Sequence, residues 1–302
     1  MDGYKRIPMA AASLGEALAL GRAFWQLTKP RVVALLVLTA WVGMMLASEG
    51  WPDLGLMATA SLGIAMVSGA AAAFNHVLDH KIDARMARTR MRPLPTGRLS
   101  NAQAVSFAFA LAAGGFVLLL VAVNALTAWL TLAGLFGYAV IYTVFLKRAT
   151  PQNIVIGGVA GALPPVLGWT AMTGTVGAEA LLLMMIIFTW TPPHFWALAI
   201  HRVDDYRRAG LPMLPVTHGV DFTRTLVLLY TVLLLAVCLL PYLVGMSGLF
   251  YLVGSLALNL QFLRHAWRLK FAPRADTAIR AFRFSITHLM LLFLVLLVDH
   301  YL

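Results

Sequence analysis

The chain has 302 residues, 61% of them hydrophobic and 12% charged, about half the charged share of an ordinary soluble domain. Several apolar runs reach roughly 18 residues, enough to cross a bilayer as helices, and nothing alternates over the roughly ten-residue strands of a membrane β-barrel. The net charge of +11 does not point to nucleic acid, because the basic residues lie between the apolar runs, and the single cysteine, Cys238, excludes an internal disulfide or a thiolate metal cluster.

Residues 1–30 show no cleavable signal pattern, and Asp2 and Glu16 sit poorly with an acid-poor transit peptide. They are expected to lie on the membrane surface as an amphipathic segment. Residues 31–302 are expected to form one all-α polytopic domain, a bundle of nine transmembrane helices. The spans fall near 32–48, 54–74, 102–123, 126–146, 154–172, 179–200, 225–245, 247–263 and 284–302. With nine spans, all 23 Lys and Arg residues fall in the N-terminal segment and alternate loops, on one side of the membrane. The other side has only short loops such as "VNAL" and "GMSG", without a basic residue. The N-terminal side is therefore expected to be cytoplasmic. No span carries a charge near its middle, which argues against a transporter.

The basic side also holds the acids. In "FNHVLDHKIDARMARTRMRPLPTG" the residues Asn75, Asp79 and Asp83 recur every four positions, so on a helix they line one face at about 6 Å intervals. Two carboxylates and an amide oxygen are hard ligands, and magnesium prefers one or two carboxylates together with substrate phosphates. The arginines that follow suit phosphate oxygens. Taken alone, the pattern fits equally a solvated helix extension. A second stretch, "FWALAIHRVDDYRRAGLPMLPVTHG", repeats the arrangement: an apolar span ends in Asp204 and Asp205, then arginines, then a Gly/Pro loop. Two such corners on one face of a bundle suit a membrane site that cleaves a prenyl diphosphate.

The first stretch resembles the first motif of the UbiA superfamily of intramembrane prenyltransferases. "LTKPRVV", "RPLPTGRLS", "YTVFLKRATPQNIVIGGVAGALPPVLGW", "TPPHFWALAIHRVDDY" and "AGLPMLPVTHG" are similar, in order, to the protohaem IX farnesyltransferases (haem O synthases) within it. The resemblance implies farnesyl diphosphate as donor and a vinyl group of haem B as acceptor. The implied product is haem O, the precursor of haem A for terminal oxidases. It implies magnesium as cofactor and Asp79, Asp83, Asp204 and Asp205 as catalytic residues. Asn75 joins those four as metal ligands, and Lys29, Arg88, Arg92, Lys147 and Arg148 close around the diphosphate. The superfamily's second motif is usually D-x-x-x-D, whereas this chain has His201 in place of the leading Asp, which leaves the second metal's ligands open between Asp204 and other groups. His194 and His201, seven apart and so on one side of a helix, are candidate haem ligands, the alternative being helix-end hydrogen bonds; "TPPH" predicts a kink beside them.

The remaining partners implied are membrane lipid and the haem A synthase of the next step. The short N-terminus favours a bacterial inner membrane, with active-site loops facing the cytoplasm, over a mitochondrial one. An aromatic prenyltransferase shares the Asp motifs but leaves "TPPHFWALAI" unexplained. Outside the site, Cys238 is expected as an apolar filler, His288 as an interhelical hydrogen-bond donor, and His76 and His80 as interfacial residues. "SGAAAAF" and "GGVAGA" are expected to let helices approach closely, and Arg264 to Arg283 to set orientation.

Overall fold

The computed structural model describes residues 14–86 and 89–302. The chain is helical throughout. A surface helix α1 (Leu14–Leu27) meets α2 (Pro30–Leu46) at a 50° bend. Then come α3 (Leu54–Asp83), α4 (Asn101–Ala122), α5 (Ala125–Leu146), α6 (Asn153–Thr173), α7 (Ala178–His201), the short α8 (Val203–Arg208), α9 (Val220–Leu243), α10 (Leu249–Phe271) and α11 (Thr277–His300).

Each expected span is helical. Among the described residues, seven helices are long and apolar enough to cross a membrane, or eight if the bent pair α1–α2 counts as one span. The helix that falls short is α10, 23 residues long, whose last turns hold Arg264, Arg268 and Lys270. It nevertheless packs between α9 and α11. This is an integral membrane protein.

Helix ends follow local chemistry. Asp53 caps α3 by accepting from the Gly55 and Leu56 amides, and Ser100 and Gln103 form a reciprocal capping box on α4. Asn124 caps α5. At "TPPH" the helix runs on through Pro192 and Pro193 to His201. Just before the prolines, Thr191 Oγ1 donates back to Ile187 O at 2.7 Å.

Small residues set the tightest crossings. A Cβ on Gly168 would collide with Ala40 O, and one on Gly43 with Pro165 O, so α2 and α6 touch backbone to backbone. Gly63 and Gly115 likewise bring α3 and α4 together. The "SGAAAAF" run is packing, with Ala70 to Ala73 all buried. Cys238 is buried, and its carbonyl accepts from Tyr251 Oη at 2.8 Å. His288 pairs with Asn259 Oδ1 across α10 and α11 at 3.2 Å. The tryptophans divide: Trp190 and Trp196 are core, while Trp51 and Trp129 face outward.

Candidate active site

The acidic ladder sits on the last turns of α3. That helix has 30 residues, about 45 Å at 1.5 Å per residue, against a hydrocarbon core of about 30 Å. Its C-terminal turns therefore carry polar side chains past the apolar slab while remaining packed by neighbours. Asn75, Asp79 and Asp83 are all buried, at 4%, 1% and 4% exposure.

Buried carboxylates require partners, and three other elements supply them. Lys147, just beyond α5, donates to Asp79 Oδ2 at 2.5 Å. Arg92, from the loop after α3, donates to Asp83 Oδ2 at 2.6 Å. Lys29, at the α1–α2 bend, donates to Asn75 Oδ1 at 2.5 Å and to Tyr138 Oη at 3.3 Å. The Asn75 amide in turn donates to Asp79 Oδ2 at 2.8 Å and to Thr143 Oγ1 at 3.1 Å.

Two local features hold these groups. Lys29 has φ 50°, a left-handed conformation that is rare outside glycine. It turns the chain into Pro30 and aims the ammonium at the ladder, so the strain falls at a residue with a role in the site. The second half of α5, Gly137–Leu146, is a π-helix, a form often found at functional sites. It presents Tyr138, Tyr142 and Thr143, with the two tyrosine rings stacked at 5.6 Å. Tyr138 and Thr143 escaped the sequence reading; two polar residues in the otherwise apolar run "GYAVIYTVFLK" were the available signal.

One atom of this network has no partner. Asp79 Oδ1 is buried and accepts no hydrogen bond. A desolvated carboxylate oxygen left bare costs on the order of 1–3 kcal/mol or more, and a divalent cation is the group that would satisfy it. The donor set, two carboxylates and an amide oxygen beside three basic residues, fits magnesium with a phosphate ligand. Among the described residues no three His, Cys, Asp or Glu side chains converge on one point, so the metal would need oxygens from its substrate.

The second corner is built differently. Asp204 and Asp205 lie on α8, and their arginines lie on or beside the same helix. Arg207 pairs with Asp204 at 2.6 Å, Arg208 with Asp205 at 2.6 Å, and Arg202 with Asp205 at 3.4 Å. Arg208 holds the Asp205 carboxyl below the usual carboxylate range. Among the described residues no ion pair joins this corner to the ladder, and each of its acids pairs with an arginine three residues away.

The two candidate haem histidines also part company. His194 is buried, stacked on Trp190 at 4.2 Å, with Nδ1 2.6 Å from Ser285 Oγ. His201 is exposed at the end of α7. Arg88 lies outside the described residues, as do residues 1–13 of the expected surface segment, and the Arg148 side chain is not described.

The sequence model of the UbiA prenyltransferase family matches residues 36–295. The chain belongs to this family. It is 62% identical over 280 residues to the protoheme IX farnesyltransferase of Idiomarina loihiensis, covering 93% of this chain and 94% of that one. It is 60% identical over 296 residues to the enzyme of that name from Shewanella sediminis, covering 98% and 97%. Solved structures share the fold at low identity. A digeranylgeranylglyceryl phosphate synthase matches with a TM-score of 0.78 at 18% identity, covering 93% of this chain and 98% of that one. A UbiA homologue from Archaeoglobus fulgidus, solved with GPP and Mg2+, matches with a TM-score of 0.61 at 16% identity, covering 91% and 99%.

Proposed function

We infer that this UbiA-family prenyltransferase is a haem B farnesyltransferase: it moves the farnesyl group of farnesyl diphosphate to a vinyl group of protohaem IX, releasing diphosphate and forming haem O. The name carried by relatives about 60% identical over nearly the whole chain supports the reaction. The observation that supports the site is the buried ladder with a bare Asp79 oxygen, ringed by Lys29, Arg92 and Lys147.

The chemistry follows from charge. Breaking the allylic carbon–oxygen bond leaves a farnesyl cation and a highly charged diphosphate, and stabilising that leaving group is the main task. Asp79, Asp83 and the Asn75 oxygen would hold magnesium, which when bound supplies Lewis-acid stabilisation of the departing oxygens. Lys29, Arg92 and Lys147 exchange their present acceptors for phosphate oxygens, joined by Arg88 and Arg148. Asp204 and Asp205 would complete the metal site from the second corner, once released from their local arginine pairs. The apolar helices hold the isoprenoid tail and keep water from the first cation. The vinyl carbon forms the new carbon–carbon bond, and a water adds to the adjacent cation as hydroxyl with loss of one proton. Its exposure favours His201 over the buried His194 as the residue that meets the haem.

In this reading nine helices span the membrane, with the basic, ladder-bearing face toward the cytoplasm of a bacterial inner membrane, and haem O passes to a haem A synthase. Purified protein incubated with haem B and farnesyl diphosphate, with and without magnesium, tests the proposal by mass spectrometry. A magnesium-dependent hydroxyethylfarnesyl haem is expected. Farnesyl transfer only to an aromatic acceptor would overturn the haem assignment and retain the metal site.

A further inference from the structure

Beside the ladder lies a cavity of about 280 Å3 lined by Gln26, Lys29, His76, Met91, Arg92 and Pro93. Its wall has two cationic side chains, an amide and an imidazole, and no carboxylate. His76 is 3% exposed, and both of its ring nitrogens are buried without a hydrogen-bond partner. The other two buried histidines among the described residues are engaged, His194 with Ser285 and His288 with Asn259. An imidazole nitrogen buried without a partner forfeits its hydration for nothing in return, so this ring calls for a ligand that the protein itself does not supply. On α3, His76 and Asp83 are seven residues apart and share a face, with Asp79 between them.

Two unmet needs therefore sit within one turn of helix. Asp79 Oδ1 lacks a cation, and His76 lacks an acceptor for its N–H. A metal-bound diphosphate satisfies both. We propose that His76 is a diphosphate-contacting residue: its ring donates an N–H hydrogen bond to the outer phosphate, seated in this cavity between Lys29 and Arg92. The inference rests on the prenyl-diphosphate reading and adds a residue and a subsite to it.

The test is inhibition by inorganic diphosphate and saturation by farnesyl diphosphate, measured on the full-length protein and its His76→Leu and His76→Asn variants. In wild type, inorganic diphosphate competes with farnesyl diphosphate. His76→Leu weakens both by about tenfold or more, as for a lost hydrogen bond to a charged group, and leaves the KM for haem B unchanged. His76→Asn, which keeps an N–H donor, recovers most of the loss. Should the leucine variant not accumulate in membranes, His76→Met enters the same titration. Equal diphosphate inhibition in wild type and the donor-less variant would overturn the role of His76 alone. No competition by diphosphate in wild type would overturn the prenyl-diphosphate reading beneath it.

Discussion

The two acidic corners of this molecule share a composition and differ in construction. At the first, the partners of Asn75, Asp79 and Asp83 come from the α1–α2 bend, the end of α5 and the loop after α3, up to 68 residues away, and the carboxylates are buried. At the second, Asp204 and Asp205 pair with arginines three residues away, and the Asp204 side chain is 72% exposed. Exposed local pairs contribute about 0–1 kcal/mol. Breaking a buried pair costs about 3–5 kcal/mol, because it strands a charge. The first corner is thus held ready by the whole bundle, whereas the second is cheap to rearrange.

The sharpest way to break this contrast is at Asp79. Asp79→Ala should lower turnover by about 10³-fold or more while the protein still inserts, and Asp83→Ala should behave alike. Retained activity in either, measured on purified protein, would remove the ladder from the chemistry. Chelating magnesium should abolish turnover, and returning it should restore the rate. Lys147→Met should rank next, about 10²-fold down, because it removes both the Asp79 partner and a phosphate ligand. Asp204→Ala should cost activity without lowering the melting temperature measurably, since its one pair is local and exposed. The smallest effect is expected for Arg207→Ala, within about 0.5 kcal/mol of wild-type stability by thermal melting.

Packing gives an independent comparison. Gly168→Ala should destabilise by about 1–3 kcal/mol, because the added carbon meets Ala40 O across α2 and α6. Gly174→Ala has open space around it but a φ of 69°, so its cost is backbone strain of about 1 kcal/mol. For the histidines, His194→Ala should act mainly on melting temperature, through the Trp190 and Ser285 contacts. His201→Ala should act mainly on the KM for haem B. The reverse pattern would move the haem to His194.

What was legible in the sequence followed from short-range rules. Apolar runs located every helix except α1 and the short α8, and the four-residue spacing placed Asn75, Asp79 and Asp83 on one helical face. The resemblance nominated Lys29, Arg92 and Lys147, and all three touch the ladder. Other features were not legible because they are set by tertiary contact. Thr143 reaches Asn75 only because α5 winds as a π-helix beside α3. His76 reads as an interfacial residue in sequence, yet its lack of a partner appears only once the cavity wall is assembled. That α7 continues as helix through the Pro192–Pro193 pair depends on its buried surroundings. The second corner reads as an equal of the first, since composition does not reveal that each acid is satisfied locally.

The measurement that bears most directly on the site is anomalous diffraction from crystals grown with manganese, standing in for magnesium, and a non-cleavable farnesyl diphosphate analogue. The expected result is a metal peak within bonding distance of Asp79 and Asp83, with phosphate density reaching toward Lys29, Arg92 and Lys147. A metal peak confined to Asp204 and Asp205, with the ladder still paired to its lysines, would contradict it.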